Sequence, residues 1–304
     1  MIAVLCPGQG AQTPGMLEPW LDVPEVAASL AALSEATDID LVAHGTTSDA
    51  ETIRDTAVAQ PLLVATAIAT ARAFLGNQPP AVAAGHSVGE LGAAALAGVV
   101  TDAEAMQLVT ARANAMAAAA SASEPTSMAA VLGGVEDDVL ARLEELGLTP
   151  ANMNGGGQIV AAGAASGIAA LIADGPARAR VIELQVAGAF HTSYMAPAVK
   201  ALDVAASAVT PQNPTATLIS NADGAVVSDA EDALGRIVNQ VANPVRWDLC
   251  QARLVDLGVT GIIEVAPAGV LTGLAKRSMK GLPAVALKSP EDLDAARHML
   301  KENA

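Results

Sequence analysis

A serine stands between two glycines in the segment GHSVG (85–89), which has the form G-x-S-x-G. The apolar run 81–84 before it predicts a strand, and the Ala- and Leu-rich run 90–100 after it predicts a helix. A serine on such a turn presents its hydroxyl at the end of a sheet, and glycines permit the strained backbone and the close strand–helix approach. The pattern predicts that Ser87 is a nucleophile that takes up an acyl group. It leaves open whether water or another thiol then receives that group.

A serine nucleophile needs a base, and the chain contains four histidines. His191 follows a predicted strand and a glycine turn, which places it at the carboxyl end of a strand, where α/β sheets carry their chemistry. His86 is adjacent to the serine and is expected to point elsewhere. We expect His44, in a polar loop, and His298, in a charged helix, on the surface. The sequence therefore predicts His191 as the base.

The usual third member of a serine triad is an acid between the serine and the histidine in the chain. No acid between Ser87 and His191 has such a setting, because Asp174 and Glu183 fall in a segment predicted to be an inserted domain. We therefore expect a group other than a carboxylate, for example a backbone carbonyl, to orient the imidazole.

An acyl-transfer site also needs donors for the oxyanion. The amide of Val88, the residue after the nucleophile, is one predicted donor. The Gly-rich loop PGQGAQ (7–12), directly after the first predicted strand, is a plausible source of the second. This loop lacks the G-K-[ST] ending of a phosphate loop, so a nucleotide-binding role is not predicted.

Arg112 is the only charged residue in the otherwise apolar stretch 105–120. An isolated arginine among alanines can extend its guanidinium to solvent along the helix. However, helical spacing places it on the face of Met106, Val109 and Met116, which is expected to be buried. A buried guanidinium favours a carboxylate partner, so the alternative is a site that selects a substrate carrying one.

The elements that must position these residues alternate between strand and helix from residue 2 to about residue 120, which predicts an α/β fold with a largely parallel sheet. The polar break 121–127 is a plausible domain boundary. The next segment, to residue 186, has the predicted order β-α-β-β-α-β, which is the ferredoxin-like pattern. Long α/β elements resume after it, so a small domain inserted into a larger one is expected.

Composition limits the classes of function. The chain has 304 residues, 52% of them hydrophobic, and a formal net charge of −16. The negative charge makes nucleic acid and anionic membranes poor partners. The most apolar 20-residue window, 81–100, contains His86, Ser87 and Glu90 and is therefore better explained as a buried strand and helix than as a membrane span. The N-terminus is predicted to be a strand, not a signal peptide, and two cysteines favour free thiols in a reducing cytoplasm.

One cluster of positive charge stands out in this acidic chain. Lys276, Arg277 and Lys280 occur together in GLAKRSMK, next to a predicted helix end. They are either a solvated helix terminus, where cations interact favourably with the helix dipole, or a docking surface for an acidic partner.

The motifs together resemble those of malonyl-CoA:acyl carrier protein transacylases and of the acyltransferase domains of polyketide and fatty acid synthases. They are spread over nearly the whole chain, in the family's order, with Arg112 placed 112 − 87 = 25 residues after the serine as in that family. The matching motifs are PGQGAQ (7–12), GHSVGE (85–90), Arg112 with Met116, the stretch 152–158, GAFH (188–191), NPVRW (243–247) and EVAPAGVLTGLAKR (264–277).

The resemblance implies a role for each matching residue. Ser87 would be the acylated nucleophile, His191 its base, and the backbone carbonyl of Gln240 the group that orients the histidine, so replacing the Gln240 side chain should matter little. The amides of Gln9 and Val88 would form the oxyanion hole. Substrate contacts would come from the remaining matches: Arg112, Met116 and Asn154.

The resemblance also implies the fold and the partners. The fold would be an α/β-hydrolase-like catalytic domain formed by residues 1–120 and 188–304, interrupted by a ferredoxin-like subdomain at 121–187. The substrates would be malonyl-CoA and the phosphopantetheine thiol of an acidic acyl carrier protein, with no metal and no bound cofactor. Two positions depart from the family: Val88 replaces the usual Leu, and Gly155-Gly156 replaces the commoner Ser-Pro.

Two other classes of function stay open at this stage. A serine hydrolase of the same fold would use water as the acceptor, although it has no need of Arg112 in an apolar helix. A binding subunit without activity would not need Ser87, His191 and Arg112 intact. The sequence does not distinguish a fatty acid carrier from a polyketide carrier, and the high negative charge favours a soluble monomer.

Overall fold

Most strands of the protein are short runs rich in apolar residues. A computed structural model describes residues 1–303. The strands are β1 (Ile2–Cys6), β2 (Val82–Gly85), β3 (Thr126–Gly133), β4 (Thr149–Gly155), β5 (Gln158–Ala164), β6 (Ala179–Glu183), β7 (Thr217–Ile219), β8 (Val226–Val227), β9 (Gly261–Glu264) and β10 (Ala284–Ala286).

Helices connect the strands and cover the sheets. They are α1 (Pro24–Glu35), α2 (Leu41–Thr46), α3 (Thr56–Leu75), α4 (Gly89–Leu96), α5 (Asp102–Ala122), α6 (Glu136–Glu145), α7 (Ala165–Ala173), α8 (Ala196–Ala206), α9 (Ala230–Gln240), α10 (Trp247–Asp256), α11 (Val270–Ser278) and α12 (Leu293–Glu302).

The main sheet has six strands in the order β10-β9-β1-β2-β7-β8. All neighbouring strands are parallel except β7 and β8. Strands β1, β2 and β9 are buried along their whole length, which is typical of a parallel sheet with helices on both faces. Because parallel strands end at the same edge, the segments after β1, β2, β7 and β9 meet there. The prediction of a largely parallel α/β sheet is confirmed.

A second sheet has four antiparallel strands in the order β4-β5-β3-β6. Its chain order, β3-α6-β4-β5-α7-β6, is the order expected from the sequence. The polar break is shorter than expected, because α5 continues to Ala122 and β3 already begins at Thr126. The second sheet is joined to the main body where the Val245 amide donates to the Ala151 carbonyl and the Met153 amide donates to the Val245 carbonyl.

Helix α3 is the central helix of the core. It is the one described helix long and apolar enough to cross a membrane, but 72% of that stretch is buried inside the protein. The window 81–100, which the sequence suggested as the most apolar, forms β2, a turn and α4. Both segments therefore form protein core.

Local sequence signals correctly predict the start of α5, but they give the wrong location for His44. The hydroxyl of Thr101 accepts from the Glu104 amide, and the Glu104 carboxylate accepts from the Thr101 amide, so the predicted capping box starts α5. The expectation that His44 lies in a loop is wrong. It lies in α2, because the carboxylate of Asp40 caps that helix by accepting from the Ala43 amide.

Candidate active site

Ser87 lies in the turn between β2 and α4, with a backbone φ of +53°. Residues other than glycine rarely adopt this left-handed conformation. A Cβ atom on Gly85 would overlap the backbone of Gly89, and one on Gly89 would overlap the Cys6 carbonyl. The two glycines of the motif therefore allow α4 to start directly against the ends of β1 and β2, which places the serine at the carboxyl edge of the main sheet.

His191 is brought to the serine from the segment after the second sheet, 104 residues further along the chain. The Nε2 atom of His191 lies 2.7 Å from the Oγ of Ser87. Its Nδ1 atom lies 3.0 Å from the carbonyl oxygen of Gln240. An imidazole that donates from Nδ1 to this carbonyl has its Nε2 lone pair free to accept the serine proton.

The electrostatics of the site keep His191 neutral. The side chain is 4% exposed. Burial and the nearby positive charge of Arg112 lower the pKa of His191 to about 3, although the Gln240 carbonyl opposes this shift. The imidazole is therefore unprotonated at neutral pH, which is the form that can act as a base.

Two backbone amides near the serine are available to a ligand. Within residues 1–303, neither the Val88 amide nor the Gln9 amide donates a hydrogen bond to another group of the protein. The Gly8 backbone next to Gln9 packs closely on the turn, because a Cβ atom there would lie 2.6 Å from the His86 carbonyl oxygen. The loop after β1 and the turn after β2 thus meet beside Ser87.

Arg112 is buried, with 1% of its side chain exposed, so it does not extend to solvent. Its Nη2 donates to the Oγ of Ser87 and to the side-chain oxygen of Gln240, both at 3.3 Å. Its Nη1 donates to the Oε1 of Gln60 at 2.7 Å. No carboxylate of the described chain forms an ion pair with the guanidinium.

The charge of Arg112 is retained in spite of its burial. Burial lowers the pKa of Arg112 to about 10, and the nearby carboxyl group of Glu90 opposes the shift. The guanidinium is therefore protonated at neutral pH. A buried cation bonded only to neutral groups is costly unless an anion pairs with it. The site consequently favours a ligand with a carboxylate beside the serine.

A cavity of about 310 Å³ opens at the serine. It lies between the carboxyl edge of the main sheet and one face of the second sheet. Its lining includes the sequence-predicted residues Gln9, Ser87, Met116, Asn154 and His191.

The second sheet contributes Asn154, which lies at the end of β4. Its Oδ1 atom pairs with the Nε2 of His86 at 2.8 Å, and its Nδ2 donates to the Oε1 of Gln158 at 3.2 Å. The His86 ring also packs edge-on against Trp247, with ring centroids 5.6 Å apart. His86 therefore faces away from the serine and links the turn to the second sheet.

The structure assembles further polar side chains around the serine that sequence reasoning missed. Gln60 in α3 is buried and holds both Arg112 and, through its Nε2, the Oε1 of Gln9 at 3.3 Å. The Asn221 side chain accepts from the Ser87 amide, and the carboxyl group of Glu90 accepts from the Asn221 amide. Gln60 carries the only amide side chain in the apolar helix α3, and this is the one signal that could have indicated it.

Comparison with known proteins gives consistent results. The acyl transferase domain family matches residues 4–294 of the chain. A malonyl CoA-acyl carrier protein transacylase from Mycobacterium tuberculosis (strain H37Rv) is 52% identical over 298 residues, which are 97% of this chain and 98% of that relative. A crystal structure of MCAT from Mycobacterium tuberculosis superposes with a TM-score of 0.93 at 51% identity, covering 98% of this chain and 99% of that one.

A second solved structure contains a partner protein. It is a malonyl-transacylase in complex with a type II polyketide synthase acyl-carrier protein, with a TM-score of 0.91 and 30% identity, covering 98% of this chain and 99% of that chain. Both the family match and the relatives extend over nearly the whole length of the chain. The chain therefore belongs to the acyl transferase family, and within it to the malonyl CoA-acyl carrier protein transacylases.

Proposed function

We propose that the protein transfers a malonyl group from malonyl-CoA to the phosphopantetheine thiol of an acyl carrier protein. The observation that carries the substrate choice is the buried Arg112 guanidinium, which lies 3.3 Å from the Ser87 Oγ and has no carboxylate partner in the described chain. The free carboxylate of a malonyl group attached to Ser87 would be that partner. The names of the relatives support the same substrates.

In the first half-reaction the Ser87 Oγ attacks the thioester carbonyl while His191 Nε2 takes the serine proton. The tetrahedral oxyanion accepts hydrogen bonds from the amides of Gln9 and Val88. The carbon–sulfur bond then breaks, and the imidazolium gives the proton to the CoA thiolate. The malonyl group is now bound to the serine as an ester.

The second half-reaction runs the same steps with a different thiol. His191 takes the proton of the carrier thiol, whose sulfur attacks the malonyl ester, and the proton then returns to the Ser87 Oγ as the ester bond breaks. The Gln240 carbonyl holds the imidazole in position for both steps. Met116 and Asn154 contribute to the substrate pocket, and the reaction requires no metal and no bound cofactor.

A serine hydrolase of the same fold is not favoured. The relatives that match nearly the whole chain are named as malonyl CoA-acyl carrier protein transacylases, and these names support a carrier protein as the acceptor. The hydrolase and transferase alternatives differ in the fate of the acyl group. Mass spectrometry after mixing with malonyl-CoA separates them, since a stable adduct on Ser87 indicates a transferase and turnover without an adduct indicates a hydrolase.

The finer description of the fold belongs to the same proposal. An α/β-hydrolase-like core formed by residues 1–120 and 188–304 is supported by the parallel sheet with its nucleophile turn. A ferredoxin-like subdomain at 121–187 is supported by the strand order β4-β5-β3-β6 and the chain order β-α-β-β-α-β. We further propose a monomer, which the acidic composition favours, in the reducing cytoplasm, which the free thiols of Cys6 and Cys250 favour.

Replacing Arg112 with alanine tests the substrate choice. In this variant the activation free energy of malonyl transfer is expected to rise by about 3–5 kcal/mol, because the malonyl carboxylate would be left without a partner in a buried site. The rate of acetyl transfer is expected to stay the same or to rise, since acetyl-CoA has no carboxylate to pair with the guanidinium. The ratio of malonyl to acetyl transfer rates is the quantity to measure.

The surface arginine Arg236, which pairs with Asp223 and Asp232, provides the control. Arg236→Ala should leave the malonyl-to-acetyl ratio unchanged. An equal fall of both rates in Arg112→Ala would show that Arg112 supports the structure and does not select the substrate.

The basic cluster at the end of α11 is proposed as the docking surface for the carrier protein. Lys276, Arg277 and Lys280 are exposed and form no ion pair within residues 1–303. The same helix lines the catalytic cavity with Val270 and Leu274 near its start. The cluster is therefore connected to the cavity by one short helix.

Reversing the three charges of this cluster to glutamate is expected to raise the apparent KM for the carrier protein. An acidic partner is repelled by the overall charge of −16, so encounter depends on local attraction. The defect should shrink as salt rises, because salt screens exposed charges. Acylation of Ser87 by malonyl-CoA should change far less.

A matched triple reversal removes the effect of net charge from this comparison. Arg180, Lys200 and Lys301 are also exposed and without ion pairs in residues 1–303, and none of them lines the cavity. Equal carrier-protein kinetics of the two triple variants at low salt would exclude the α11 cluster as the docking surface.

A further inference from the structure

Asn221 occupies a fixed place beside the nucleophile turn. It lies two residues after the end of β7 and is fully buried. Its Oδ1 accepts from the Ser87 amide at 2.7 Å, and its Nδ2 donates to the Gly85 carbonyl at 2.7 Å. One side-chain amide therefore bonds to the backbone on both sides of His86, up to the serine itself.

The backbone of Asn221 is fixed as firmly as its side chain. Its amide donates to the Oε1 of Glu90 at 2.7 Å, and its carbonyl accepts from the Arg246 amide at 2.8 Å. The Cys250 thiol lies 3.6 Å from its Nδ2. Every polar atom of Asn221 is thus bonded, and its side chain has a single orientation available.

The register of the sheet explains the position of this amide. Val82 pairs with Thr217 and Ala84 with Ile219, a constant offset of 217 − 82 = 135. At the same offset, His86 would pair with residue 86 + 135 = 221. The backbone leaves the ladder at that point, because the Asn221 amide donates to the carboxyl group of Glu90 and not to the Gly85 carbonyl.

The side chain of Asn221 continues the ladder where the backbone leaves it. In a parallel ladder, the residue opposite position i donates to the carbonyl of i−1 and accepts from the amide of i+1. The Asn221 side chain does both around His86, through Gly85 and Ser87. It therefore extends the pairing of β2 by one peptide unit, up to the serine itself.

We propose that Asn221 is a positioning residue for the nucleophile, whose side-chain amide holds Ser87 in its left-handed conformation. Because the Ser87 amide is occupied by Asn221, it cannot serve the oxyanion, which leaves that role to Val88 and Gln9. This inference rests on the proposed role of Ser87 as the nucleophile. It concerns the geometry of the serine and not the binding of substrate.

The test measures the reactivity of Ser87 separately from substrate affinity. A fluorophosphonate reports reactivity, since the Ser87 Oγ displaces fluoride from phosphorus and its proton leaves through His191. Asn221→Leu keeps the branched shape of the side chain and removes both hydrogen bonds to the turn. Its labelling rate is expected to fall roughly 10²-fold, the cost of a misplacement of about 1 Å.

Affinity for malonyl-CoA is measured by calorimetry in a Ser87→Ala background, with and without Asn221→Leu. The dissociation constants are expected to agree within about twofold, because the Asn221 side chain bonds only to the Ser87 amide, the Gly85 carbonyl and the Cys250 thiol and has no group left to bind a ligand. The control variant is Thr70→Val, which also keeps the branched shape and removes the buried hydrogen bonds of the Thr70 hydroxyl, to the carbonyls of Thr66 and Ala67 and from the Ala266 amide. Its labelling rate should equal that of the wild type.

Several results would overturn the proposal. If Asn221→Leu is labelled at the wild-type rate, the positioning role of Asn221 is wrong, while the role of Ser87 stands. The same conclusion follows if the labelling rate and the affinity for malonyl-CoA fall by the same factor. Absence of labelling in the wild type would overturn the role of Ser87 and this inference with it. Should Asn221→Leu fail to fold, Asn221→Ala decides, since it removes the same two hydrogen bonds without adding volume. Its rate is expected to fall roughly 10²-fold, and a wild-type rate would contradict the proposal.

Discussion

Replacing Ser87 with alanine is expected to abolish the covalent malonyl adduct and to lower the transfer rate by roughly 10⁶-fold, because residues that act as one catalytic unit lose nearly all activity when the nucleophile is removed. The structure gives no second candidate at this position, since the Ser87 Oγ is the atom within 2.7 Å of the His191 Nε2. Radiolabelled malonyl-CoA and mass spectrometry of the intact protein measure the adduct.

An exposed serine provides the comparison for this variant. The hydroxyl of Ser207 bonds only to the carbonyl of Val204 in its own helix end. Ser207→Ala should form the adduct at the wild-type rate. Malonyl that still attaches to the Ser87→Ala protein would show that another residue is the nucleophile.

Replacing His191 with alanine is expected to slow both half-reactions by roughly 10²–10⁴-fold, the usual contribution of a general base. Both steps are affected because the same imidazole takes a proton from one hydroxyl or thiol and returns it to another. Single-turnover rates of serine acylation and of transfer to the carrier protein measure the two steps separately.

Two other histidines serve as references for the His191 variant. His44, in α2, bonds to Ser48 away from the cavity, so His44→Ala should keep both rates. Near-normal acylation in His191→Ala would exclude His191 as the base and direct attention to His86. The Gln240 side chain is not a neutral control, as the sequence suggested, because it accepts from the Arg112 guanidinium.

Local sequence signals predict the parts of the site that depend on short segments. The G-x-S-x-G turn needs only its own strand, helix and glycines, so its position follows from residues 81–100. Arg112 is equally visible, because a single cation on an apolar helical face has few explanations. The capping box at Thr101 and the chain order of the second sheet are predictable for the same reason.

Contacts between distant segments could not be predicted from such signals. Asn221 reaches the serine amide across 134 residues of chain, and its role depends on the register between β2 and β7. Gln60 acts through a bond to Arg112 across 52 residues. Neither residue belongs to a sequence motif that indicates a catalytic site, since each acts only through partners that the folded chain brings to it.

The strand order of the main sheet has a consequence for synthesis of the chain on the ribosome. Strand β1 lies between β2 and β9, so Ile2 pairs with Gly261 at the far end of the sequence. One edge of β1 therefore stays apolar and unpaired until most of the chain has emerged from the ribosome. Such late pairing favours slow folding and aggregation of the unfinished chain. Asn221 and Gln240 emerge equally late. An unfinished chain thus carries Ser87 without the groups that hold it and its histidine, so the nascent protein has no assembled nucleophile to acylate.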